Sequence, residues 1–177
     1  LSNLEILERL DHGTTVSTNA LLEGEIGRVA LITSAGFGDV LEIGRTRRML
    51  PSVYDTKFVR PSPLVPRHWR FEVAERLDKY GNVITPLDTK KIEKLLKTIV
   101  QVEADAIAVC FLHAYNNPEH ELLVLKMIEE IVPSIGVAVS HQVVREFREY
   151  ERFSTTVINA SLIPIVNNYL SNFNKAL

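Results

Sequence analysis

Between Ala106 and Ser140 two compact apolar runs, Ala106–Leu112 and Gly136–Ser140, bracket a segment whose apolar residues recur at helical spacing (Leu122, Leu125, Ile128 and Val132). Strands that are apolar at every position are buried on both faces, and a helix between two of them implies parallel pairing through a right-handed crossover. A third run of the same kind, Arg28–Ser34, lies upstream. Before the Ala106 strand, Asp88 is placed to cap a helix carrying Ile92, Leu95, Leu96, Ile99 and Val102. Asn117 and Pro118 open the crossover helix with a cap residue and a proline at the first helical position. The grammar is α/β.

The connecting segments add detail. Ala35–Asp39 breaks the first strand, and Val40–Ile43 reads as one helical turn. Gly44–Trp69 holds four of the eight prolines (Pro51, Pro61, Pro63 and Pro66), so it reads as a long loop. Phe71–Leu77 alternates as a half-exposed strand, Asp78–Asn82 supplies a turn, and Val83 and Ile84 return as a hairpin. From Glu149 the pattern is helical, broken or kinked at Pro164.

With 177 residues, 46% of them hydrophobic, the chain has enough apolar surface to form a substantial core. A net charge of −2 argues against bulk nucleic-acid binding, and no apolar run reaches the length of a membrane span. The single cysteine, Cys110, lies in an apolar strand; it cannot form an internal disulfide and is a poor nucleophile, which fits a reducing, cytoplasmic setting. Both ends carry structured-looking sequence, as if cut from a longer chain.

Three segments invite a chemical reading. His12–Asn19 is rich in Thr, Ser and Asn, which favour caps over helix interiors. It reads as a strand ending near His12, a turn at Gly13 and a helix opening on Thr14 or Thr15, either an ordinary cap or an anion-binding helix N-terminus. The Gly44–Arg70 window holds seven Lys or Arg against one acid, Asp55, and is either a solvated loop or a face for a phosphate, a carboxylate or an acidic partner. Arg145–Arg152 alternates charges at helical pair spacing, which favours a solvated face, yet Ser154, Thr155 and Thr156 follow and suit a cleft or domain interface. The five histidines show no metal-ligand spacing, and Gly36-Phe37-Gly38 lacks the third glycine and the lysine of a phosphate loop.

Four blocks, in order, resemble the hydantoinase A/5-oxoprolinase family. They are His12–Glu23; Val29–Thr33 continuing through Gly36–Arg45; Ala108–Tyr115 with Asn117–Glu121; and Phe147–Arg152 with Ser154–Ala160. The resemblance implies part of an actin-like ATPase fold with a mixed sheet, strand–helix–strand crossovers and terminal helices. It divides the chain into an α/β domain over 1–148 and the helical start of a following domain over 149–177. It implies an ATP-dependent hydrolase of cyclic amides that activates the substrate carbonyl by phosphorylation, or the large subunit of a related ketone carboxylase; a non-catalytic α/β module that docks a partner subunit is the competing reading. The parent would use ATP and a divalent cation such as Mg, and work with a second hydantoinase-type subunit or domain. The family's two glycine-rich phosphate loops do not occur between Leu1 and Leu177, so no cofactor is expected in this segment alone. Substrate- or nucleotide-site candidates are then His12, Gly13, Thr14, Thr15, Asn19 and Arg45. Cleft or domain-interface candidates are Glu149, Arg152, Ser154, Thr155 and Thr156.

Overall fold

In the computed structural model, residues 11–45, 54, 55, 57, 59 and 61–176 are described. Helix α1 (Val16–Glu23) precedes strand β1 (Val29–Ser34) and the short helix α2 (Val40–Ile43). Then come a 3-10 turn at Arg67–Trp69, β2 (Arg70–Val73), β3 (Arg76–Leu77) and β4 (Val83–Thr85). Helix α3 (Thr89–Gln101), β5 (Ala106–Cys110), α4 (Glu119–Ile131), β6 (Gly136–Val139), α5 (Ser140–Val143) and α6 (Glu149–Ala176) complete the order.

The main sheet runs β2-β1-β5-β6 with every neighbour parallel, in register Leu31↔Arg70, Leu31↔Ala108 and Ala108↔Ala138. Antiparallel pairing is confined to the separate β3–β4 hairpin. The single strand read over Phe71–Leu77 is thus two strands. Its first half joins β1, and the backbone then turns at Ala74 and Glu75 to start the hairpin.

Alternation along the strands builds two layers. Ala30, Ile32, Ile107 and Val109 face Ile92, Leu96 and Ile99 of α3 and Val124 and Ile128 of α4. Val29, Leu31, Ala106, Ala108 and Cys110 face Phe153, Val157 and Ala160 of α6. The small side chains of β5 on that second face let α6 lie close to the sheet. Of the stripe read for α4, Ile128 is buried and Leu125 and Val132 pack against the core, whereas Leu122 is 45% exposed and His120, Glu121 and Val124 turn inward as well. Asp88 caps α3 as expected, accepting from the Lys90 and Lys91 amides at 3.1 and 3.2 Å.

Helix α6 runs antiparallel to the strands. Arg152 meets the end of β5 through the Phe111 carbonyl, and Ile163 packs on Gly136 at the start of β6. Eleven helical residues span about 16 Å, the length of a five-residue strand. The break expected at Pro164 does not occur, and the helix continues to Ala176. Proline cannot donate to the carbonyl four residues back, that of Ala160, and next to it the Gly27 amide donates to Ser161 O at 2.9 Å.

Candidate functional site

The sheet's C-terminal edge gathers most of the buried polar groups. Glu121 is fully buried and accepts from the Phe111 amide (2.9 Å), the Ser140 hydroxyl (2.6 Å), the His141 amide (3.0 Å) and His141 Nδ1 (2.7 Å). Beside it, buried Glu75 accepts from the Ser34 hydroxyl and from His120 Nδ1 at 2.7 Å, while Ser34 Oγ accepts from the Leu112 amide at 2.9 Å. These two carboxylates tie together the ends of β1, β5 and β6. Strand order reverses between β1 and β5, because the chain leaves β1 to one side and returns on the other. Parallel α/β sheets bind ligands outside the carboxyl ends of their strands at such a point.

Arg152 belongs to this edge. Its side chain is fully buried, donating to Phe111 O at 2.8 Å and Glu146 O at 3.1 Å, and its guanidinium lies 5.5 Å from the Tyr115 ring centre. The solvated face read for Arg145–Arg152 holds at residues 145–148, which are exposed, but not at Arg152, which is buried. Residues 144–148 are not helical, Arg145 donates to Tyr115 O at 2.8 Å, and Arg152 turns onto the sheet. Thr156 is buried and donates to Arg152 O at 2.7 Å; Ser154 is half-buried and Thr155 exposed. Burial beside Glu121 pushes the Cys110 thiol well above its usual range, so it stays protonated and inert.

Arg45 lies on the same edge. It forms a two-pronged pair with Glu151 in the first turn of α6, the Nε bond measuring 2.8 Å. This pairing holds the Glu151 carboxyl below the usual carboxylate range and raises the Arg45 guanidinium. Arg45, Phe147, Arg148, Glu149 and Glu151 line a concavity of about 410 Å³. Two more arginines of the basic window turn onto the chain's own acids. Arg70, with a fully buried side chain, meets Asp39 and Glu42, and Arg67 meets Asp39. Arg47, Arg48 and Arg60 lie outside the described residues.

The His12 segment lies elsewhere. Residues 11–15 are irregular rather than a strand, and the part of that reading before Asp11 is outside the described residues. The helix opens on Thr15 as its N-cap residue, with Val16 the first helical position, and Thr15 makes no side-chain cap; Thr14 Oγ1 instead accepts from the Val16 amide at 3.2 Å. Asn19 donates to Thr15 Oγ1 at 3.5 Å, and Gly13 has open space where a side chain would stand. His12 bonds to the Tyr169 hydroxyl and stacks on Phe173, with ring centres 4.5 Å apart. Tyr169 is 18 residues beyond Glu151, about 27 Å along α6. The structure thus brings Arg45 together with Glu149 and Glu151 but leaves His12–Asn19 at the opposite end of the helix.

Ser34, Glu75, His120, Glu121, Ser140 and His141 were not singled out from sequence. The available signal was the charged Glu119-His120-Glu121 triplet inside a family-like block, where acids and imidazole on an inward face need internal partners.

The family model for the hydantoinase/oxoprolinase N-terminal region matches residues 3–132. The chain belongs to this family. It is 44% identical over 171 residues to an uncharacterised protein of Methanocaldococcus jannaschii, covering 95% of this chain and 25% of that one. Against the caprolactamase alpha subunit of Pseudomonas jessenii it is 34% identical, covering 90% of this chain and 23% of the subunit. The crystal structure of that organism's ATP-dependent caprolactamase superposes with a TM-score of 0.83 at 33% identity, over 92% of this chain and 23% of the other. A nucleotide-free acetone carboxylase structure superposes at 0.77 with 26% identity, over 91% and 24%. The fold of this family member is consistent with an actin-like ATPase-type fold, and the chain spans about a quarter of the length of these relatives.

Proposed function

We propose that this segment is the N-terminal region of an ATP-dependent hydrolase of cyclic amides, in which the amide carbonyl is activated by phosphorylation before water attacks. The observation that carries this reading is the superposition on caprolactamase across nearly the whole chain. The parent uses ATP and a divalent cation, and it works with a second subunit, as the name of the caprolactamase alpha subunit suggests.

The described residues do not fit the nucleotide or its metal by themselves. Among them no group of three or more His, Cys, Asp or Glu side chains is arranged to hold a metal ion. The backbone cradle formed by the Gly36 and Gly38 amides is filled by Glu72, at 3.1 Å from each. The segment's contribution is therefore positional. Glu75 and Glu121 fix the ends of the strands, Arg152 anchors α6 to β5, and α6 in turn presents Glu149 and Glu151 opposite Arg45. The two-pronged Arg45–Glu151 pair fixes the relative position of the Arg45 guanidinium and the first turn of α6. No helix among the described residues is long and apolar enough to cross a membrane.

The test is made in the parent chain, by measuring phosphate release from ATP with hydantoin, 5-oxoproline or a lactam as second substrate. Arg45→Ala is expected to lower amide-dependent turnover at least tenfold while leaving the melting temperature nearly unchanged. Unchanged turnover removes Arg45 from the site. An equal loss on His12→Ala shows that the downstream chain folds back to join the two ends of α6. The likeness to acetone carboxylase supports a second reading, in which the substrate is a ketone and bicarbonate is required. Phosphate release that depends on both, with no response to cyclic amides, selects it.

A further inference from the structure

We infer that, beyond positioning, His120 takes a proton from the substrate as the carbonyl oxygen is phosphorylated. This role rests on the carbonyl activation proposed above, and it is the same for a cyclic amide and for a ketone. A carbonyl oxygen becomes a good nucleophile when the neighbouring atom gives up a proton, the N–H of an amide or the α C–H of a ketone. As the O–P bond forms, the bond from phosphorus to the departing ADP breaks, and the ADP oxygen keeps its electron pair. The N–H or C–H pair becomes the new C=N or C=C bond. The proton needs an acceptor.

The Glu75–His120 pair has the build of such an acceptor. The Glu75 side chain is closed to solvent and both its oxygens are taken, one by the Ser34 hydroxyl and the other by His120 Nδ1 at 2.7 Å. A carboxylate only accepts, so Nδ1 carries the proton of the neutral ring and Nε2 presents a bare lone pair. A buried carboxylate in this position fixes the tautomer, holds the ring's orientation and stabilises the imidazolium that forms. Among the described residues nothing pairs with Nε2. It is not one of their enclosed unpaired atoms either, which are Thr33 Oγ1, Arg70 Nη2 and Arg152 Nε. Nε2 is thus the ring atom left to meet a ligand.

Placement singles out this pair. Ser34 ends β1, and its oxygen also accepts from the Leu112 amide just past β5, so Glu75 and His120 stand where the strand order reverses. The similar Glu121–His141 pair spans the ends of β5 and β6, one strand away. The elements that carry the pair are also locked together. Asn116 and Asn117, just before α4, donate to the Lys79 and Gly81 carbonyls in the turn of the β3–β4 hairpin, at 3.2 and 2.9 Å.

The test follows ADP formation by the parent enzyme with hydantoin, 5-oxoproline or a lactam, and with a ketone. In His120→Asn the side-chain amide stands where Nδ1 stood and still donates to Glu75, while no atom replaces Nε2. Substrate-dependent ADP formation is expected to fall at least about a hundredfold in kcat, with KM and the melting temperature little changed. Glu75→Gln can donate to Nδ1 and so move the ring proton to Nε2; activity should fall here too. Imidazole ¹⁵N shifts of the labelled 177-residue chain should place the proton on Nδ1 in the wild type and on Nε2 in Glu75→Gln. If His120→Asn does not fold, Glu75→Gln and the tautomer decide. ADP formation that survives His120→Asn means that the ring only ties α4 to Glu75, and overturns the proposal. So does ADP formation that continues while ring opening stops, since the proton then comes from water, and so does a wild-type ring protonated on Nε2. A wild-type parent that forms no ADP with any of these substrates removes the activation reading and this role together, whereas an active parent with an active His120→Asn removes this role alone.

Discussion

At the scale of single residues, the C-terminal edge depends on carboxylates that no solvent reaches. Removing one leaves its donors buried and unpaired, which costs more than the bonds are worth net. Glu121→Ala strands the Phe111 amide and the Ser140 hydroxyl and releases His141. We expect a loss of about 3–5 kcal/mol in urea unfolding, with Glu121→Gln costing clearly less because its carbonyl still accepts. A loss below about 1 kcal/mol would mean water replaces the carboxylate. At the opposite edge, Asp105 receives the Arg28 side chain at 3.1 Å and its amide at 2.7 Å, which holds the carboxyl below the usual aspartate range. A depressed folded pKa stabilises fully above the unfolded value of about 3.9 and loses that contribution as pH falls through the folded one. The difference in melting temperature between the chain and Asp105→Asn should thus be constant from pH 5 to 7 and shrink below pH 4. Glu121 and Arg152 show where sequence falls short. Their charges suggest solvent exposure, and only the sheet's geometry reveals the main-chain groups that receive them.

At the scale of elements, the fit between α6 and the sheet is set by small residues. A Cβ on Gly27 would stand 2.7 Å from Pro164 Cγ and 3.1 Å from Ser161 O, both rigid groups. Gly27→Ala must therefore push α6 away from β1, and a destabilisation of about 1–3 kcal/mol is expected from thermal or urea unfolding. A neutral effect would show that the helix shifts freely on the sheet. The same contact helps hold α6 to the sheet across Pro164, where a break or a kink is read from sequence and no break occurs. Proline removes one helical donor, but here the Gly27 amide, distant in sequence, bonds to the adjacent Ser161 carbonyl and ties the helix to the segment before β1. Strands β1, β5 and β6 were legible because each is a short run of mostly apolar residues, with β1 and β5 buried at every position. The boundary between β2 and β3 was not, because a smooth alternation from Phe71 to Leu77 says nothing of which partner each half takes. The inward turn of His120 and Glu121 in α4 was hidden for a related reason. Leucines at helical spacing outweighed His120 and Glu121, whose inward orientation depends on Glu75, Ser140 and His141 in other elements.

At the scale of the molecule, α6 divides into a half that belongs to the sheet and a half that leaves it. From Arg152 to Ser161 the helix buries Arg152, Phe153, Thr156, Val157, Ala160 and Ser161, and each apolar side chain that it fully buries there contributes about 1.5–3 kcal/mol. From Asn167 to Ala176 the described side chains are exposed, apart from half-buried Tyr169 and Phe173, which meet His12. Helix α1 is equally light, with Ala20 its only buried residue. Stability should follow this division, since segments with few buried apolar contacts open without global unfolding. In native-state hydrogen exchange, amides of 152–161 are expected to exchange only through complete unfolding. Those of 16–23 and 167–176 should exchange at opening free energies lower by several kcal/mol, and together, because their contact is mutual. His12→Ala should speed exchange at 169–173 and leave 152–161 unchanged. Equal protection along all of α6 would show instead that the helix is one cooperative unit, and that the His12 contact reports on the same folding event as the Arg45–Glu151 pair at its other end.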